Sequence, residues 1–412
     1  MILSAEAARS VLFINRVYPP DTGATGQLLA ELATGLAGLG VRVTIVTSRS
    51  VSGSTKREII DGVAVERVGG ISVSRNSHWR RALGYLSLYP LLLWRAMRLP
   101  RHDVIVTMTD PPMQLLLGPV LKAFRGGRLI HWAQDVYPEL AEELGVIKKQ
   151  GLLATTLRAL STWALKRHDA VVCIGRCMKQ KLIERGVEER RIHVIPNWAD
   201  VEAIHPLQEN YFLEKHGLNG KQIVMYSGNM GLAHPFEAMF DSAQSLAATH
   251  PNVHFVFIGD GPKRGKLVSE VEKRKLCNVL FLPFQEKGGL SESLGAADIH
   301  LACMNDSLLG LVVPSKVYGI MAAGRPCIFL GPETCEVSRL IQECHCGEVI
   351  PSHNGERLTE VISHWLDDAN ARVQAGKYAR RAAEKFSLSH AVSAFADVRS
   401  FHNRIEGNGS LD

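Results

Sequence analysis

Signatures for holding a metal or a phosphate are scarce in this 412-residue sequence. No Asp-x-Asp pair occurs, so the usual carboxylate site for a metal–diphosphate complex is missing. A Gly-x-x-x-x-Gly-Lys-Ser/Thr loop and a His-Glu-x-x-His pair are missing too. Gly259-Asp260-Gly261-Pro262 with Gly265 misses the Gly-x-Gly-x-x-Gly dinucleotide fingerprint by one residue, and Pro262 suits the opening of a helix. Cys344-His345-Cys346 has no second ligand pair at zinc-finger spacing, so no metal site is expected. The eight cysteines sit among apolar neighbours rather than at disulfide-framework spacings and read as reduced thiols. No run approaches the about 20 uninterrupted apolar residues of a spanning helix. Residues 1–10 carry Glu6 and Arg9 and lack an apolar signal core. A cytosolic protein is the expectation.

What remains is ordinary for a globular chain of more than one core. Apolar residues make up 46% and charged residues 21%, and the length exceeds what one hydrophobic core usually organises. Charge is uneven: residues 1–200 carry 27 Lys and Arg against 17 Asp and Glu, within a chain of net charge +6. A basic first half suits contact with something anionic.

Short β-branched runs alternate with amphipathic stretches. Strands are expected at 11–15, 41–47, 104–107, 128–132 and 170–173, with another ending at Val194-Ile195. After Pro196 the rhythm restarts, with strands at 223–227, 254–258, 279–282, 299–302 and 326–329. Helices are expected at 236–248, 263–275, 291–296, 315–323 and 337–342. This predicts an α/β protein of two Rossmann-like, doubly wound domains facing across a cleft. The domains are placed at 1–205 and 206–385, with a helix in 386–412 packing back on the first.

Three turns suit a bound anion. Gly23 and Gly26 follow the first strand and allow close backbone approach ahead of a helix. Ser227-Gly228-Asn229-Met230-Gly231 follows the first strand of the second half. In Pro314-Ser315-Lys316, Ser315 can cap a helix while Lys316 brings positive charge to its first turn, where the helix dipole disfavours it. An anionic ligand accounts for that lysine better than helix stability does, with a solvated lysine as the other reading. Residues 68–102 contain no acidic residue and hold Arg80, Arg81, Trp94 and Arg95 around the apolar run 83–93. That pattern suits a helix lying in a membrane interface, with an ordinary core helix as the other reading; Pro90 and the short length argue against spanning. No nucleic-acid recognition module is visible.

Six motifs in order carry a family resemblance. They are Tyr18-Pro19-Pro20 with Gly23, Gln134-Asp135-Val136-Tyr137-Pro138-Glu139, the run from Val194 through Pro196-Asn197-Trp198 to Asp200, Ser227-Gly228-Asn229-Met230-Gly231, Ile258-Gly259-Asp260-Gly261-Pro262, and Pro314-Ser315-Lys316 with Ala323-Gly324-Arg325-Pro326. Together the chain resembles glycosyltransferase family 4. More narrowly it is similar to bacterial exopolysaccharide and O-antigen enzymes of the colanic-acid fucosyltransferase and N-acetylfucosaminyltransferase types.

The resemblance implies a GT-B fold and a retaining, metal-independent glycosyltransferase of the hexosyltransferase class. It would take a UDP- or GDP-sugar as substrate with no cofactor, and a polyprenyl-diphosphate-linked glycan as acceptor, at the inner face of the cell membrane. Lys316 would stabilise the leaving diphosphate, with Gly23, Gly26, Ser227, Gly228, Asn229, Gly231, His234, Pro314 and Ser315 around the donor. Asp135 would orient or deprotonate the acceptor hydroxyl, or else cap the helix 138–144; Asp110 reads as a cap. Several family positions differ: Leu311 and Gly319 stand where many members have glutamates, Asn229 and His234 where an Arg and a Lys clamp the diphosphate, and Gln134 where a histidine is common. A sugar-nucleotide epimerase of related fold and an inactive membrane-associated scaffold are the rival expectations.

Overall fold

The computed structural model describes residues 10–21, 23–49, 55–70, 78–207, 209–231, 236–352 and 354–400; the side chains of 78–81, 355, 399 and 400 lie outside that description. The chain divides into two compact units. The first comprises Met1–Pro196, Gly310–Val312 and Leu388–Asp412, and the second Asn197–Leu309 and Val313–Ser387. The continuous stretch of the first unit ends at Pro196, nine residues before the expected 205.

The first unit carries β1 (Ser10–Ile14), β2 (Arg42–Ser48), β3 (Arg57–Ile60), β4 (Val63–Val68), β5 (Val104–Thr107), β6 (Arg128–Ala133), β7 (Ala170–Cys173) and β8 (Ile192–Val194). Their order in the sheet is β3-β4-β2-β1-β5-β6-β7-β8, parallel throughout except for the β3–β4 pair. Helices cover both faces of such a sheet, so its inner strands are apolar without alternation; β1, β5 and β7 are wholly buried. The β3–β4 hairpin was not expected from the sequence. Asp61 and Gly62 make its two-residue turn, both with positive φ (49° and 79°), as a type I′ turn requires.

Helix Leu388–Ser400 belongs to this unit and packs on helix Ala24–Gly38. Its Phe395 ring lies 5.0 Å from Trp132 and 6.5 Å from Phe13. On another part of the sheet, helix His78–Arg98 inserts Leu88, Leu92 and Ala96 into a cluster with Leu117, Leu121 and Leu129.

The second unit carries β9 (Gln222–Ser227), β10 (Val253–Ile258), β11 (Val279–Leu282), β12 (Ile299–Cys303), β13 (Cys327–Leu330) and β14 (Gly347–Ile350) in the order β11-β10-β9-β12-β13-β14. All of its pairings are parallel. Alternation along the strands divides its core between the two faces. Val224, Tyr226, Phe255 and Phe257 face one cluster with helices Glu237–Thr249 and Gly355–Asp367, while Ile223, Met225, Val256 and Ile258 face another with Phe212 and Leu218. The expected strands and helices of this half are present within one or two residues. β14 and the helices Gly355–Asp367 and Ala369–Ala383 were not anticipated.

Candidate active site

In a parallel sheet the loops at the strands' carboxyl ends collect the residues free to meet a ligand. In the second unit, Ser227 ends β9 and Gly228 turns the chain at φ 141°. The Gly228 amide donates to the Ile258 carbonyl at 2.9 Å, Met230 donates to Asp260 at 2.8 Å, and Lys263 donates to Met230 at 3.1 Å. The loops after β9 and β10 therefore continue side by side as a backbone ladder. Gly259, at φ 137°, makes this approach possible, because a Cβ there would stand 2.1 Å from the Gly228 carbonyl oxygen. Its near-match to a dinucleotide fingerprint thus has a packing cause.

Lys316 sits over this ladder. Its Nζ donates to the Tyr226 hydroxyl at 2.6 Å and lies 3.8 Å from the Tyr226 ring centroid. The hydroxyl in turn donates to the Asn229 carbonyl at 2.8 Å. Burial pushes the Lys316 ammonium down to about 8, although the residue as a whole is only half-buried, and the neighbouring Cys303 and Cys327 thiols act the other way. Burial lifts the Cys303 thiol to about 12 and raises Cys327 as well, so neither is an anion at neutral pH. No carboxylate among the described residues pairs with Lys316. A half-buried cation that lacks a counter-ion is costly in isolation and is relieved by an arriving anion.

The expectation for Ser315 needs correction. It occupies the N-cap position of helix Lys316–Ala322, but its φ of −75° and ψ of −16° are already helical and its side chain makes no capping bond. Asn229 is exposed and Gly231 buried in the loop beside Lys316, and Pro314 is half-buried ahead of the helix. His234 lies outside the described residues. Gly319, where a family carboxylate is common, faces Leu294: a Cβ there would be 3.4 Å from Leu294 Cδ1. Tyr226 and the exposed Phe284, whose ring edge would be 3.3 Å from a Cβ on Gly259, were not picked out from the sequence. The available signal was a tyrosine at the carboxyl end of an otherwise aliphatic strand.

The first unit holds the other candidates. Gly23 precedes helix Ala24–Gly38, and Gly26 lies in its first turn, where a Cβ would stand 2.9 Å from the Val17 carbonyl oxygen. The space beside both glycines is thus filled by Val17 of the chain itself, by its side chain at Gly23 and by side chain and backbone at Gly26. Asp135 follows β6 and forms an isolated antiparallel bridge with Val312, beside a 2.9 Å bond from the Val136 amide to the Leu311 carbonyl. Leu311 is buried there, at the other position where a glutamate is common.

The Asp135 carboxyl has no hydrogen-bond or ionic partner among the described residues. Burial first, and the Asp110 charge second, raise it to about 7, although the residue as a whole is only half-buried. It does not cap a helix: Glu139–Glu143 follows Pro138 and has no side-chain cap. Asp110 is no cap either. It forms a two-bonded ion pair with Arg16 at 2.6 and 2.8 Å, and that guanidinium stands 5.6 Å from the Tyr85 ring centroid. Asp135 lines a cavity of about 10 Å³, room for a single water, together with Thr109, His131, Tyr137 and Arg185. Burial and His168 lower the imidazole of His131 to about 3, so it stays neutral. Glu139 is taken up by Arg158 and Arg185, each at 3.4 Å.

Helix His78–Arg98 exposes Leu83, Leu86 and Trp94 on the side away from the core, with the Arg98 guanidinium 4.2 Å from the Trp94 ring centroid. Arg95 is not a free surface cation: it pairs with Glu66 at 2.7 Å, both side chains nearly buried. The side chains of Arg80 and Arg81 lie outside the described residues. Among the described residues no helix is long and apolar enough to cross a membrane, and no three His, Cys, Asp or Glu side chains converge as metal ligands would.

Comparison with known proteins also divides the chain into two parts. Residues 25–203 match the family model described as Glycosyltransferase Family 4, and residues 209–382 match the one described as Glycosyl transferases group 1. A probable glycosyltransferase of Pseudomonas aeruginosa, WbjE, is 30% identical over 274 residues, which span 64% of this chain and 66% of that protein. The putative colanic acid biosynthesis glycosyl transferase WcaI of Escherichia coli K12 is 25% identical over 415 residues, covering 95% of this chain and 98% of that one. Among solved structures, HepE of Anabaena in complex with UDP-glucose superposes with a TM-score of 0.73 at 14% identity, covering 95% of this chain and 99% of that chain.

Proposed function

We propose, since this chain belongs to the family 4 glycosyltransferases and has their GT-B fold, that it moves a sugar from a nucleotide diphosphate to a hydroxyl of a lipid-linked glycan, with retention at the anomeric carbon and without a metal. The observation that carries this reading is Lys316: a half-buried ammonium beside the loops at the carboxyl ends of β9 and β10, with no carboxylate partner among the described residues. A nucleoside diphosphate supplies the missing negative charge. Phe284, exposed beside Gly259, offers an aromatic face for the base. The UDP-glucose bound to HepE and the colanic acid assignment of WcaI support a sugar-nucleotide donor and a polysaccharide product.

In the reaction the bond from the sugar's anomeric carbon to the diphosphate breaks, and the acceptor oxygen forms the new bond. The departing diphosphate gains negative charge, which Lys316 stabilises more than it does the ground state. The hydroxyl proton goes to Asp135, whose raised pKa of about 7 suits a group that must accept it near neutrality. A membrane-bound acceptor fits the apolar, basic outer side of helix His78–Arg98.

Incubation with UDP- and GDP-sugars and a membrane lipid extract tests the reading. Labelled sugar in the lipid fraction supports transfer. An altered free sugar nucleotide would replace it with epimerisation. Failure of both UDP and GDP to raise the unfolding temperature would leave only a scaffold.

A further inference from the structure

We propose that the outer face of helix Leu152–Leu165, with the turn before it, is a second lipid-contacting surface that seats the first unit on an anionic bilayer. The inference rests on the reading that this unit works at a membrane, and it names a surface that the acid-free stretch 68–102 does not include.

The helix is inside-out for a soluble protein. Toward the core it buries Ala154, Ser161, Ala164 and Leu165, mostly small side chains. Toward solvent it presents Leu152 (87% exposed), Leu153 (60%), Leu160 (43%) and Trp163 (42%), with Val146 exposed in the preceding turn. An ordinary surface helix does the reverse, placing its large apolar side chains on the buried stripe. Single exposed leucines are unremarkable, but a contiguous set along one helix marks a contact surface.

Charge identifies what covers it. From 144 to 168 there is no acidic residue, while Lys148, Lys149, Lys166 and Arg167 are exposed. Lys149 is paired with Glu143 at 2.7 Å, which leaves Lys148, Lys166 and Arg167 as the outward cations. The Arg167 guanidinium lies 4.3 Å from the Trp163 ring centroid. A tryptophan with its apolar ring outward and a cation across its face is suited to the headgroup boundary of a bilayer, where one end is apolar and the other wet.

Topology adds breadth. The steps from β4 to β5, β5 to β6 and β6 to β7 all run the same way across the sheet, so their right-handed crossovers put helices His78–Arg98, Leu117–Arg125 and Leu152–Leu165 on one face. The middle helix exposes Phe124. Each outer helix ends with a tryptophan–arginine pair, Trp94 with Arg98 inside the last turns of the first and Trp163 with Arg167 just past the end of the other. Three neighbouring helices thus present apolar side chains outward with basic residues and no carboxylate between 144 and 168. A flat anionic leaflet matches that pattern; a protein partner would need an acidic, apolar counter-face.

The full-length protein is mixed with vesicles of phosphatidylethanolamine alone or with phosphatidylglycerol, and binding is read by flotation. Wild type is expected to float with the anionic vesicles. The triple variant Leu152→Ser, Leu153→Ser, Trp163→Ser should lose about tenfold or more of that partitioning, as expected for removing several buried apolar side chains from an interface, while keeping its unfolding temperature and its transfer to a water-soluble acceptor. Leu153→Gln alone, expected to give a smaller loss, serves if the triple variant does not fold. Equal flotation of folded variant and wild type would overturn this inference and leave the membrane reading standing. Absence of wild-type flotation from either vesicle would overturn both. A wild type that is dimeric by light scattering, with a monomeric variant, would make this face a contact between copies and likewise overturn it.

Discussion

Gly228 and Lys316 are shaped to one another: a Cβ on residue 228 would stand 3.0 Å from the Lys316 Nζ and 3.2 Å from its Cε. The glycine carries the backbone away from β9 at φ 141° and clears the space into which the lysine reaches for Tyr226. Turn and cation, separated by 88 positions in the chain, are therefore parts of one arrangement.

Gly228→Ala should weaken donor binding more than it weakens the fold. The lysine end can swing aside, so the stability loss is that of one strained φ, about 1–3 kcal/mol, while the ammonium leaves its seat. Gly259→Ala should do the opposite, because its Cβ would meet the Gly228 carbonyl, which cannot swing away. Thermal unfolding alongside UDP titration separates the two.

Lys316→Ala should lower kcat by about two to three orders of magnitude, the usual effect of removing one group that meets developing charge. Lys316→Arg should restore part of the loss. An unchanged rate in the alanine variant would take Lys316 out of the leaving-group role.

The pH profile should be bell-shaped. Asp135, raised to about 7, accepts a proton only once ionised, so the rate rises through that value. Lys316, lowered to about 8 in the free protein, is charged only below it, so kcat/KM falls above that pH. Asp110→Asn removes the charge that helps raise Asp135 and should move the acidic limb to lower pH. An unmoved limb would assign it to another group.

Asp135→Asn should lower activity yet raise the unfolding temperature at neutral pH. The folded-state pKa of Asp135 lies above its unfolded value of about 3.9. Between those two values the folded chain holds the extra proton, so stability falls as pH rises, and near pH 7 the cost of the buried charge is largely in place. The amide removes that cost. The difference from wild type should shrink at pH 4, as calorimetry at both values will show.

Arg95→Ala should destabilise the first unit by about 1–3 kcal/mol, since it leaves the nearly buried Glu66 with only the 3.2 Å contact from Arg57. Vesicle flotation should not change, because the guanidinium is turned to Glu66 rather than to solvent.

Much of the fold was legible because parallel strands buried on both faces leave uninterrupted β-branched runs such as 104–107 and 170–173, which no surface segment imitates. β3 escaped notice because Arg57-Glu58-Ile59-Ile60 is an edge strand with charges, and its only strong signal was the Asp61-Gly62 turn. β14 begins with Gly347 and Glu348, equally weak marks. For the site, Lys316 stands at the first position of its helix, against the dipole, and burial lowers its ammonium to about 8. Ser315, by contrast, has a cap's chemistry without a cap's backbone conformation.

By itself, the sequence determined two parallel-sheet units, the glycine-bearing turns at their strand ends and a cation at residue 316, because these follow from local periodicity and residue chemistry. Only the tertiary structure decided which charges are spent and which are free. It tied Arg95 to Glu66 and Asp110 to Arg16, left Asp135 and Lys316 without charged partners among the described residues, and turned Leu152, Leu153 and Trp163 outward. Pairing and burial depend on residues distant in the chain arriving at the same place, and no local pattern encodes that meeting.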